Sequence, residues 1–246
     1  MDRIIRRRTA WLLAVLLLAA LVMPGPAAAE KFSPADAAEG RKQALALLET
    51  CAFSGHLADQ ERGMLIRWGD AMTIYADGAP TRSDLSELDS FLTLLAFRVP
   101  ELPPIRRVDN PAEANVVIHY LKLSEIRELE TGYVEGNWGF QTYTYHADGQ
   151  IFKAQIWLAR DKTGLAGRTH MVRKGLVSIL GLTNVHTSYT DSILHQGWST
   201  RQNLSEVDWL MLNMVYSAHV SPGWSWPQTR DALSAFYQLT PEAETP

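Results

Sequence analysis

The stretch from His170 to Tyr216 constrains the fold more than any other part of the chain. His-Met-Val-Arg-Lys-Gly-Leu-Val-Ser-Ile-Leu-Gly-Leu-Thr-Asn (170–184) spaces its apolar residues for one face of an amphipathic helix that ends at a glycine. Leu-Ser-Glu-Val-Asp-Trp-Leu-Met-Leu-Asn-Met-Val-Tyr (204–216) predicts a second helix, capped by Ser205 or Asn203. Asp208 falls in its first turns, where a carboxylate is favoured by the exposed backbone N–H groups. Either helix alone is commonplace. Their order, with a polar loop between, is what restricts the fold.

Further short motifs extend that order. Leu180-Gly181-Leu182-Thr183-Asn184 precedes Tyr189-Thr190-Asp191-Ser192-Ile193-Leu194, then Gln196-Gly197-Trp198-Ser199, and Ser221-Pro222-Gly223 closes the run. Upstream stand Ile66-Arg67-Trp68 and Ala114-Asn115-Val116-Val117-Ile118. The series, over roughly residues 60 to 225, resembles domain-of-unknown-function family 2927, a bacterial exported family that looks like the metzincin-type zinc peptidases. The resemblance implies an α+β, zincin-like (metzincin-like) domain in which helices pack on a mixed, mainly antiparallel sheet, plus an N-terminal helix. It also implies an edge strand on which extended peptide is bound by strand addition.

Metzincin chemistry is not carried over with the layout. Those enzymes use H-E-x-x-H-x-x-G-x-x-H: two His one helical turn apart hold zinc, a Glu polarises its water, and a glycine turns the chain toward a third His. With that glycine on Gly181, Lys174 and Ser178 fall at the first two ligands, Gly175 at the general base and Asn184 at the third ligand. An ammonium repels zinc, and glycine has no basic group. The expectation is a module without zinc or other cofactor and without peptidase activity, in which His170, Asp191 and Ser192 line a groove or its loop. Asp191 is expected to bond backbone amides and hold a tight turn, and Lys174 to reach solvent.

Two alternatives stay open. A hydrolase could use a displaced zinc site built from His170, His186 and His195, although no two histidines share i, i+4 spacing on a predicted helix. Trp198, Trp224 and Trp226 could form an aromatic platform for envelope carbohydrate; otherwise Trp209 packs in the core and Trp224 and Trp226 staple the C-terminal segment onto it.

Localisation is expected from the N-terminus. Arg3, Arg6, Arg7 and Arg8 precede an apolar run of about 14 residues, too short for the ~20 of a spanning helix. Pro24 and Pro26 break it, and Ala27-Ala28-Ala29 supplies the small residues of a signal-peptide cleavage site before Glu30. Beyond residue 29 the 23 basic and 27 acidic residues fall to 19 and 26, an acidic balance that argues against nucleic-acid binding. No polybasic run remains to hold a membrane. The protein is expected in the periplasm or medium, with an envelope protein or peptide as partner. Cys51, the only cysteine, excludes an internal disulfide; it is expected as a small buried hydrophobe, or in an intermolecular bridge.

The expected organisation is a signal peptide (1–29), an N-terminal helical extension (30–59), the zincin-like domain (60–225) and a C-terminal helix and tail (226–246). Met64–Trp68 and Met72–Tyr75 predict short strands joined by a Gly-Asp turn. Leu85–Val99 predicts a helix capped by Ser83, and Val116–Lys122 a strand buried on both faces. Gln141–Tyr145 and Ile151–Leu158 predict a hairpin turning at Ala147-Asp148-Gly149. Ala154–Leu158 is the candidate edge strand, with an internal strand as the alternative.

Overall fold

The computed structural model of the protein describes residues 34–54, 63–197 and 199–239. Pro34–Leu48 forms α1 and runs on into a π-helical turn over Glu49–Phe53. Two strands follow, Arg67–Trp68 (β1) and Met72–Gly78 (β2). Thr81 begins α2, Arg82–Arg98: its side chain accepts from the Asp84 amide while Asp84 accepts from the Thr81 amide, a reciprocal cap. Thr81, not Ser83, is therefore the cap; Ser83 lies inside the first turn. Ile105–Arg107 (β3), Val116–Leu121 (β4), Leu123–Leu129 (α3), Gly139–Tyr145 (β5) and Gln150–Ala159 (β6) come next. Leu165–Ile179 (α4), Glu206–Val215 (α5) and Trp226–Tyr237 (α6) complete the described chain.

The fold is α+β, but the sheet is mostly parallel, which corrects the expectation of a mainly antiparallel one. β2 lies between β3 and β4, and β4 beside β6, every pair parallel. Only β5 runs antiparallel, as the first arm of the expected hairpin with β6. The reason lies in the connections. A 17-residue helix separates β2 from β3, long enough to carry the chain back for a parallel return. β1 and β2 do not pair with each other across the Gly-Asp turn; β1 joins the start of β6 in parallel, Arg67 opposite Gln150. Residues 154–158 are paired on both sides, to β4 and to β5, so the internal alternative holds and the edge passes to β5.

One face of the sheet, carrying Ile74, Ile118, Tyr120, Ala154, Ile156 and Leu158, is buried in a continuous core with α2, α4 and α5. Leu48 of α1 and Leu233 of α6 share that core, and Trp209 is buried in it. Trp224 and Trp226 pack partly buried against it, with the Trp226 ring 5.2 Å from Phe53. Val117 and His119, on the other face of β4, are only half-buried. Cys51 has no solvent exposure and burial pushes its thiol up to about 12, so the folded chain offers no sulfur for an intermolecular bridge. Residues 1–33, including the expected signal peptide, lie outside the described residues, as do Trp198 and the C-terminal tail.

Candidate functional site

A cleft of about 640 Å³ opens between β5 and α4. One wall is the segment Gly136–Gln141, and the other is the α4 face that presents His170, Lys174 and Ser178 at successive four-residue steps. Thr183, Val185 and Gly197 close one end. Sequence patterning supplied the helix side of this cleft but not the β5 side. The available signal was the alternation of Gln141–Tyr145 directly after a glycine-rich run, a polar strand suited to an edge.

Helix and sheet approach closely because α4 carries a glycine where they meet. A Cβ at Gly175 would stand 2.8 Å from Ile156 Cγ2 on β6. A Cβ at Gly139 would likewise stand 2.9 Å from Met171 Sδ, so α4 is in contact with the edge strand too. The helix is held at its N-terminal half by ion pairs to α2, Arg168 with Asp84 and Arg173 with Glu87, both at 2.9 Å. Burial opposes ionisation of Asp84, but hydrogen bonds from Arg168 and Thr81 hold its carboxyl below the usual range.

β5 offers main-chain groups to the cleft. Ala159 N–H donates to Trp138 O at 2.7 Å, which makes that opposed pair a hydrogen-bonded one. In an antiparallel ladder such pairs alternate, so Phe140 and Thr142 bond inward to β6 while Gly139 and Gln141 direct N–H and C=O to the open side. Among the described residues β5 pairs with no strand but β6.

The expected site residues divide. Lys174, Gly175, Ser178 and His170 line the cleft. Gly181 and Asn184 do not; Asn184 is buried and its side-chain amide donates to Ser54 O at 2.5 Å. Lys174 does not extend into open solvent from the helix surface as expected. It is half-buried and donates from Nζ to His195 O at 3.1 Å, and burial lowers its pKa from the ordinary lysine value. Among the described residues no hydrogen bond joins it to Ser178. His170 donates from Nδ1 to Arg201 O at 2.6 Å, which leaves Nε2 as the acceptor of a neutral ring.

Asp191 does not hold the loop. Its carboxylate is exposed and pairs with Arg201 at 2.8 Å. That task belongs to Asp208, which is fully buried at the start of α5. It accepts from Ser192 Oγ at 2.5 Å, Ile193 N at 3.0 Å, and Ser205 N and Oγ at 2.8 Å each. Ser192 is thus a loop anchor and does not line the cleft. A carboxylate inside a helix pattern reads as an ordinary first-turn residue, and nothing local marks it as the acceptor for a loop 15 residues upstream.

The cleft residues do not fit zinc. At the positions that the metzincin resemblance would give to the first ligand, base and second ligand stand an ammonium, a glycine and a hydroxyl, and Asn184, at the third, is turned toward Ser54. Among the described residues no group of three or more His, Cys, Asp or Glu side chains converges as a metal site. His186 and His195 stand edge-on with ring centroids 6.3 Å apart, and both His186 ring nitrogens are buried without a hydrogen bond.

Those histidines make a pH prediction. Burial, helped by the Lys174 charge, lowers the His170 pKa against the pull of the Arg201 carbonyl. Burial lowers that of His186 against the pull of Asp208. Both ionise near 6.5 in the unfolded chain. Between that value and the depressed folded values the unfolded state binds more protons, so stability falls as pH drops from 7 toward 5. The urea midpoint should be lower at pH 5.5 than at pH 7.5, and His186→Phe should flatten part of the difference. A midpoint unchanged or raised in acid contradicts the assignment.

The structure thus defines an α+β protein with a cleft of about 640 Å³ between an edge strand and a helix. Residues 45–235 match the family model described as Protein of unknown function (DUF2927), and the chain belongs to that family. No curated protein matches the chain.

Proposed function

We propose that the protein is an exported, zincin-like module without peptidase activity that binds an extended peptide segment of an envelope protein in the cleft beside β5. The observation that carries this reading is the main-chain edge at Gly139 and Gln141 along one wall of the cleft, which no other strand of the described residues pairs. Such an edge is a template for a further strand, and the cleft beside it can take alternate side chains of that strand. The zincin-like part is supported by the edge strand lying over the helix whose Lys174, Gly175 and Ser178 match the ligand and base positions. Export rests on the Arg3–Ala29 pattern.

Gln141→Pro tests the binding mode. Proline removes an N–H that faces away from β6, so it is compatible with an edge strand while blocking addition of another. Random linear heptapeptides displayed on phage would be panned against the protein and the enriched sequences remade as free peptides. Their affinity should fall by roughly tenfold or more on Gln141→Pro, the scale of one or two lost hydrogen bonds. Peptides that bind Gln141→Pro as tightly as the parent, or a library that never enriches, would defeat the reading.

A further inference from the structure

Lys174 is a cation that no carboxylate of the described residues neutralises. It stands in the middle of α4, half-buried, on the helical wall of the cleft. Among the described residues no carboxylate lies within ion-pair distance of it. One of its three N–H donors goes to His195 O, and among the described residues it forms no other hydrogen bond. The two half-buried arginines on this helix are both matched: Arg168 by Asp84 and Arg173 by Glu87. Partial removal of an ammonium from water without an opposing charge is costly, and burial alone accounts for its depressed pKa.

The neighbours on the same face narrow the complement. His170, one turn before, is neutral and has committed Nδ1–H to the Arg201 carbonyl, so its remaining nitrogen brings no second positive charge. Ser178, one turn after, brings a hydroxyl. A single positive charge with a neutral imidazole beside it suits a monoanion; a phosphate dianion would keep an uncompensated charge. We propose that the cleft recognises a carboxylate: a peptide paired with the outer edge of β5 places a carboxylate oxygen on Lys174 Nζ. This inference rests on the strand-addition reading above and names the chemistry of its ligand. The carboxylate is either the peptide's own C-terminus or a Glu or Asp side chain.

Three pools of randomised, N-acetylated heptapeptides separate the sources: one with a free C-terminal carboxylate, one amidated and free of acidic residues, and one amidated with a single internal Glu. Fluorescence polarisation should show at least one carboxylate pool binding roughly tenfold tighter than the neutral pool, as expected for a charge-assisted hydrogen bond at a half-buried site. The preferred pool tells C-terminus from side chain. Lys174→Met should erase the preference and leave the weak binding of the neutral pool, whereas Lys174→Arg should retain much of it; unchanged circular dichroism confirms that the variants fold. A neutral pool that binds as well as both carboxylate pools, or a preference that survives Lys174→Met, overturns the inference. Binding of all pools to the parent without preference leaves strand addition standing and removes only the carboxylate. A carboxylate preference equally strong on Gln141→Pro supports the seat at Lys174 and removes strand addition. Failure of every pool to bind the parent overturns both.

Discussion

Gly181→Ala should cost about 5 kcal/mol and leave little folded protein at 37 °C. Gly181 has φ +113°, a backbone region that side-chain-bearing residues rarely enter, and a Cβ there would stand 2.5 Å from the Ile66 carbonyl oxygen. Ile66 is fully buried, directly before β1, so that carbonyl has no room to retreat. Val215 Cγ1, at 3.3 Å, closes the other side. The same corner is pinned from below, where the Trp68 indole N–H donates to Ile179 O at 2.8 Å at the end of α4. Gly197 provides the control. Its φ is +121°, but nothing lies within 4 Å of a Cβ built on it. Gly197→Ala should therefore show the conformational cost alone, about 1–3 kcal/mol. Chemical denaturation of both variants separates collision from strain; equal losses in the two would show that the Ile66 contact contributes nothing.

Asp208→Ala should destabilise the protein by about 4 kcal/mol, close to a 12 °C fall in Tm for a chain of this size. The carboxylate receives two main-chain amides and two hydroxyls, and the residue has no exposure to water that could replace it. Its removal leaves Ile193 N–H and Ser205 N–H without their acceptor and undoes both the loop and the α5 cap. Asp208→Asn should lose about half as much, since one oxygen remains while the new NH2 faces donors. Asp191→Ala, by contrast, should change stability by less than ~1 kcal/mol, because its partner Arg201 is a surface one. The ranking Asp208 well above Asp191 is the decisive outcome; the reverse order would place the loop's support at the wrong carboxylate.

Gly175 in the second half of α4 and Gly181 just past its end explain why the helix carries its residues where it does. Gly175 allows close contact with Ile156, and Gly181 allows the chain to turn under Ile66. Together they bring His170, Lys174 and Ser178 to the cleft and carry the following loop back across it. A glutamate at position 175 would set a new Cβ against Ile156 at 2.8 Å. Position 175 is thus closed to a larger side chain by the packing of α4 on β6.

Much of this was legible in the residues themselves. The periodicity of 170–184, the glycine at 181, the capping serine at 205 and the hairpin turn at Ala147-Asp148-Gly149 each follow from local stereochemistry, and each is present. The order of short motifs led to the family now matched over residues 45–235. Helix face also determined that His170, Lys174 and Ser178 lie together, because i, i+4 neighbours share a side wherever the helix is placed. Strand direction was not legible. Alternating residues specify a strand but not its partner, so β1 and β2 looked like a hairpin until β6 and β4 were in place. Nor could local pattern show that β5 takes the edge, that Lys174 faces a cleft with no opposing charge among the described residues, or that Asp208 holds the loop. Those are contacts between residues far apart in the chain, and they exist only once packing α4 and α5 against the sheet has decided which groups water can still reach.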